Sequence, residues 1–233
     1  MRLNRFLCLA ALIGINGIVE PVAAGDEDQA TCPKMLVDVG FESERDRALV
    51  CAGAAKARAF FRSYGIGLKR RIRLRLHQTE IENRAFHIGL YDAKKDQIDL
   101  LTFEQAKRQT AGDSLFGMQM DEPLYVSVVV HEIAHAIAGQ NLEIRPRSLV
   151  AHEYIAYVAQ LSTMEPETLS KICERYESAA FKGIGEMSSV YYALDPSGFG
   201  VKAYRHHQAL ADPGAFIRDL LSGAIQPMSS DLE

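Results

Sequence analysis

Residues 128–137 read VVVHEIAHAI, and that run allows few conformations in which His131 and His135 act together. In an α-helix a four-residue spacing stacks two side chains one turn apart on the same face, so both imidazoles reach a single metal ion. Glu132 is rotated by about 100° from His131, which sets its carboxylate beside such an ion, in reach of a proton on water held there. Val128, Val129 and Val130 before the pair and Ala136 and Ile137 after it make the other faces apolar, so the helix is buried. Asp121 is its N-cap, Glu122 and Pro123 stand in its first turn, and Gly139 is the residue expected to end it near Ala138. A bare H-E-x-x-H arises by chance in somewhat under about 1% of chains of this length. A solvated histidine pair would not carry these apolar flanks.

A catalytic zinc takes three protein ligands and keeps one position open. The third ligand is expected on the next helix, which runs from Ser148 to about Met164 after a short loop and so packs as an antiparallel neighbour. Glu153 is the candidate, with His152 as the alternative, because adjacent helical positions diverge by about 100° and one of the two faces the ion. Ile155, Val158 and Leu161 give that helix an inward face.

The rest of the chain reads as an α+β arrangement. Met35, Val37, Val39 and Phe41 alternate as in a half-buried strand, and Ser43 with Asp46 caps a helix through about Tyr64, stopped by Gly65. Ile72, Leu74 and Leu76 alternate with Arg73, Arg75 and His77, a strand with one dry face. Phe86, Ile88 and Leu90, a turn over residues 92–96, and Ile98 with Leu100 make a hairpin suited to a sheet edge. After Thr102 only helical patterns follow, near 103–108, in the two helices above, and at 166–180, 184–194, 198–210 and 213–222. The expected fold is a small N-terminal mixed sheet with an antiparallel edge hairpin and one backing helix, then the histidine helix, the glutamate helix and a C-terminal helical portion. Residues 25–233 form one domain, with the sheet in 25–121 and the helices in 122–233.

Residues 1–24 read as a secretory signal. Arg2 and Arg5 form a positive start, an apolar stretch follows, and Val22-Ala23-Ala24 offers a small-residue cleavage site. The apolar stretch is broken by Gly14, Asn16 and Gly17, short of the roughly 20 residues of a membrane anchor. Cys8 follows Leu7 without the small residue that precedes a lipidated cysteine. The mature chain then carries a charge of about -5, keeps no stable membrane anchor, and sits in the periplasm or outside the cell. There Cys32 and Cys51 can pair, while Cys173 is a buried small hydrophobe. With 26 Lys+Arg against 30 Asp+Glu and a pI near 6.0, no basic face is expected to track a phosphate backbone, so nucleic acid is excluded as the primary partner.

Residues 128–137 resemble the extended zincin metallopeptidase motif position by position, and the downstream Glu153 is similar to the gluzincin branch. The metzincin pattern fails, because Gly139 is followed by Gln140 and Asn141 rather than leading to a third histidine. The resemblance covers residues 86–165 and is to a small exported bacterial-type member. It implies one Zn²⁺ per chain on His131, His135 and Glu153, and a peptide or protein substrate held in extended form against the hairpin's edge strand. It also implies peptide-bond hydrolysis by a metal-bound water that Glu132 activates. Many gluzincins place Asp four residues after the ligand Glu, where this chain has Tyr157. A further donor to the developing oxyanion is expected among Tyr191, Tyr192, Tyr204, His206 and His207, with His206 and Tyr192 first. The competing readings are a catalytically silent zinc-binding or peptide-binding periplasmic protein, and a binding or inhibitor module in which the motif is accidental.

Overall fold

A computed structural model describes residues 36–37, 40–41, 43–81, 87–111, 115–143 and 148–227. The signal segment, Cys32, Phe86 and the strand positions Met35 and Val39 lie outside the described residues.

Four strands form one mixed sheet: β1 (Leu36–Val37), β2 (Ile72–His77), β3 (Gly89–Asp92) and β4 (Gln97–Leu101), in the order β1-β2-β4-β3. β1 and β4 both run parallel to β2, and β3 is antiparallel to β4. The position of β4 explains its composition: a strand with neighbours on both sides and packing on both faces buries Gln97, Ile98, Leu100 and Leu101 rather than alternating. β3 is the edge strand, as the sequence suggests, and the Leu101 amide extends the ladder by donating to the Ile88 carbonyl (2.8 Å). The turn between them holds Asp96 at φ 46°, a left-handed conformation that costs most residues energy. Its carboxylate there accepts from Arg70 (2.6 Å), Tyr91 (2.7 Å) and Gln140 (3.1 Å).

Eight helices accompany the sheet among the described residues. α1 (Glu44–Ser63) starts where the sequence places it, with the Asp46 amide donating to Ser43 Oγ (3.0 Å). The buried Asp46 carboxylate also accepts from the Phe103 amide (2.9 Å), which ties α1 to α2 (Phe103–Gln109). α3 (Glu122–Asn141) is capped by Asp121, whose Oδ1 accepts from the Leu124 amide (2.9 Å). α4 (Leu149–Ser162) is capped in the same way by Ser148. α5 (Pro166–Arg175), α6 (Ser189–Leu194), α7 (Pro196–Ala209) and α8 (Pro213–Ser222) complete the order.

Several helix ends differ from the sequence expectation. Gly139 does not stop α3, which continues to Asn141. Its missing side chain serves packing instead, since a Cβ there would lie 2.9 Å from the Tyr91 ring. The real end is fixed by side chains: Gln140 Oε1 accepts from the Lys69 and Arg70 amides, and Asn141 donates to the Gly67 carbonyl. The pattern at 166–180 ends at Arg175, and that at 184–194 splits into a 3-10 turn and α6, because Ser188 caps a new start.

α3 is the centre of the molecule. It packs on α1, α4, β3 and β4, and its side chains join one continuous hydrophobic core running from the sheet to α8. The approach of α1 is close because Gly53 faces Val129: a Cβ would come within 2.6 Å of the valine Cβ. No helix of the described residues is long and apolar enough to cross a membrane.

Candidate metal centre

α3 presents His131 and His135 towards α4, and α4 presents Glu153 back. The two histidine Nε2 atoms are 3.0 Å apart. Glu153 Oε2 is 3.6 Å from His131 Nε2, and Oε1 is 3.6 Å from His135 Nε2. Tetrahedral bonds of about 2.0–2.1 Å separate ligand atoms by roughly 3.3–3.4 Å, so the three groups fit one ion with adjustments of a few tenths of an ångström. Glu153 Oε2 is buried without a hydrogen-bond partner, a costly state for a carboxylate that a cation would relieve. His131, His135 and Glu153 are therefore close enough to bind a metal ion. His152, the alternative ligand, stacks on His135 instead, with ring centroids 5.9 Å apart.

The tautomer of His131 follows from a chain of hydrogen bonds. Ser127 Oγ donates to the Leu124 carbonyl (2.7 Å), so its oxygen is left to accept from Gln160 Nε2 (3.1 Å). That turns Gln160 Oε1 to His131 Nδ1 (2.9 Å). An amide oxygen only accepts, so Nδ1 carries the proton and Nε2 keeps its lone pair for the ion. Gln160 was not apparent from the motif, although it stands seven residues beyond Glu153 and hence on the same face of α4. It fixes the orientation of the His131 ring. Tyr157 acts as a wall, its ring edge-on to His131 at 4.7 Å. α7 can accept that ring only because position 200 is glycine, where a Cβ would fall 2.4 Å from it.

Removing the orienting acceptor has a defined cost. Gln160→Ala is expected to weaken zinc binding by about 10- to 100-fold, while Gln160→Glu, which keeps an acceptor there, retains it. A competition titration against a chromophoric chelator measures both, and equal affinities for wild type and Gln160→Ala would contradict this role.

Glu132 lies in the same cavity of about 610 Å³, which is lined by His131, His135, Glu153, Tyr157 and Tyr192 among others. β3 forms its opposite lip, with Ile88, Gly89, Leu90 and Tyr91 lining it. A Cβ on Gly89 would lie 2.5 Å from Glu132 Cγ, so only glycine lets the edge strand close on this glutamate. Tyr192, on α6, stands beside the Glu153 carboxyl. His206 is not brought to the cavity. Its Nδ1 pairs with the Tyr154 hydroxyl (2.8 Å), and its ring packs on Phe216. His207 pairs with Tyr64 (3.2 Å), and Tyr191 packs against Phe181 and Phe199. Tyr192 is thus the one of the five donor candidates that lines the cavity.

Burial dominates the electrostatics. Desolvation lifts Glu132 to about 8, helped by the neighbouring Glu153 charge, and lifts Glu153 to about 7 against the opposing influence of the nearby Tyr192 hydroxyl. It lowers His131 to about 4 and His135 well below its ordinary value, the latter helped by repulsion from His131 and His152. Without a cation the 3.6 Å contacts near pH 7 are consequently between neutral imidazoles and a carboxyl that is only about half ionised, although the pairing looks ionic.

These shifts set opposite slopes of stability. The carboxyl values are raised on folding, so their contribution is complete below about 4.5 and is lost as pH rises through about 7 and 8. The imidazole values are depressed, so their contribution is complete above about 6.5 and is lost as pH falls towards 4. In the metal-free protein the two opposing slopes roughly cancel between about pH 4.5 and 6.5, and above about pH 6.5 only the carboxyl loss remains, so the melting temperature is expected to fall from pH 6.5 to 8.5. Zinc should abolish the alkaline loss, because its binding displaces the carboxyl protons. Melting curves at pH 5.5, 6.5 and 8.5 with chelator and with zinc test this. A metal-free melting temperature that climbs from pH 6.5 to 8.5 would contradict it.

No curated protein and no solved structure matches this chain. A family model described as "Family of unknown function (DUF6639)" matches residues 37–230, a span that contains β2, β3 and β4, the cavity and all of the candidate ligands. The chain belongs to that family.

Proposed function

We propose that the protein is a zinc-dependent peptidase that hydrolyses peptide bonds in the cavity between β3 and the α3–α4 pair. The observation that carries this reading is the convergence of four things in one cavity: two imidazoles, the Glu153 carboxylate, an unliganded Glu132, and an edge strand.

His131, His135 and Glu153 would hold the ion. Nitrogen and carboxylate ligands in a set of three suit zinc and leave a position open. When bound, the ion supplies Lewis acidity, lowering the pKa of water in the cavity and polarising a substrate carbonyl. Gln160 keeps the His131 lone pair aimed inward. Glu132, ionised once a divalent charge stands beside it, takes a proton from the attacking water and delivers it to the leaving amine nitrogen, so that water adds across the C–N bond. Tyr192 places a hydroxyl in the cavity, where it can donate to the carbonyl oxygen as negative charge develops. The outer edge of β3 offers backbone donors and acceptors to an extended chain, which favours a peptide over a compact small molecule.

Cys51 is disulfide-bonded, which supports an oxidising compartment and hence export; its expected partner, Cys32, lies outside the described residues. Incubation of the zinc-loaded protein with a library of unstructured peptides, read by mass spectrometry, tests the activity. New peptide termini that vanish with chelator and return with zinc are expected. An intact library under zinc-loaded conditions would overturn the reading.

A further inference from the structure

A second cavity, of about 340 Å³, opens on the other side of α3. Ile137, which lines it, is two residues beyond His135 and so about 200° round the helix. Its apolar floor is Phe61 and Ile66 from the end of α1 and its following turn, Leu68, and Ile137. The rim is cationic: Arg58 and Arg62 from α1 and Lys69 from the segment leading to β2. All three are exposed, and no carboxylate among the described residues pairs with any of them. Arg70, also on the rim, is already engaged by Asp96 at 2.6 Å.

That combination is unusual in a chain whose overall charge is -4. Arg58 and Arg62 are one helical turn apart, so the two guanidinium groups stand on the same side of the opening. An apolar recess with unpaired positive charge at its mouth complements a ligand with the inverse distribution, an unbranched apolar tail with one anionic head. The volume falls in the range of the smaller ligand pockets, about 300 Å³ and upward. We infer that this cavity binds a fatty-acid-like amphiphile, its chain on Phe61, Ile66, Leu68 and Ile137 and its carboxylate between Arg58, Arg62 and Lys69.

The bland alternative is that the arginine stems merely cover an apolar depression with their methylenes, and the two make different predictions. Isothermal titration of the full chain with sodium octanoate should show one site per chain. Acetate, which lacks the tail, and 1-octanol, which lacks the charge, should each bind at least ten-fold more weakly. The double variant Arg58→Gln/Arg62→Gln should reduce octanoate affinity at least ten-fold and leave 1-octanol unchanged.

Gly67 provides an independent block. A Cβ there meets nothing within 4 Å, so Gly67→Leu should fold normally, by circular dichroism and melting temperature, while filling the recess and abolishing octanoate binding. No octanoate heat, equal binding of octanoate and 1-octanol, or full octanoate affinity in either variant would each overturn the inference. None of these readouts involves zinc or peptide cleavage.

Discussion

Glu132→Gln is expected to lower the rate of peptide cleavage by about 10²- to 10⁴-fold, the usual worth of a positioned general base, while zinc stays bound. The substitution keeps the side chain's volume and removes only its capacity to carry a proton. It alters none of the three groups that lie close enough to hold an ion. Fold and metal should both tolerate it. Burial already raises the Glu132 carboxyl to about 8, so in the metal-free protein near neutrality a neutral side chain occupies this place in any case. The diagnostic pattern is wild-type zinc content with cleavage reduced to near background. Cleavage at the wild-type rate would show that another group moves the proton. Zinc lost together with activity would show that Glu132 is a ligand.

His135→Ala and Glu153→Ala should have the opposite signature, removing the metal and everything that depends on it. With three protein ligands, deletion of one leaves an incomplete set of two. The stability that bound zinc contributes is then lost as well. At a free zinc concentration 1,000 times the dissociation constant that contribution is about 4 kcal/mol, and the melting temperature of either variant should stop responding to zinc. Without zinc, Glu153→Ala is expected to melt no lower than wild type at pH 8.5, because it removes a buried carboxyl that has to ionise there. Differential scanning fluorimetry across a zinc series checks both variants. A wild-type thermal shift in either one would remove that residue from the ligand set.

The site was more legible than its support. The spacing of His131, Glu132 and His135 has meaning only on a helix, and the capping residues Asp121 and Ser148 announce both helices, so candidate ligands on α3 and α4 could be read directly. The shortness of the loop between them pointed to the start of α4, with Glu153 as the candidate and His152 as its alternative. What could not be read was contact between side chains distant in sequence. Gln160 orients His131 from 29 residues away, and Gly89 approaches Glu132 across the cavity. Neither belongs to a local pattern. His206 illustrates the converse. It was a candidate as a histidine of the C-terminal helices, but Tyr154 claims it on a face of α4 that Glu153 does not share. In the fold, alternation identified β2, and the hairpin of β3 and β4 followed from its turn. The parallel pairing of β2 with β4 is a tertiary choice with no local signal, and Gly139 was misleading because close packing and helix termination select the same residue.

The cavity is peptidase machinery only if it holds its ion, so the most direct measurement is the metal content of the intact protein. Native mass spectrometry of wild type and His135→Ala, after zinc loading and removal of excess metal, should show one zinc per wild-type chain and none on the variant. A wild-type chain that carries no zinc under these conditions, or a variant that retains it, would contradict the account.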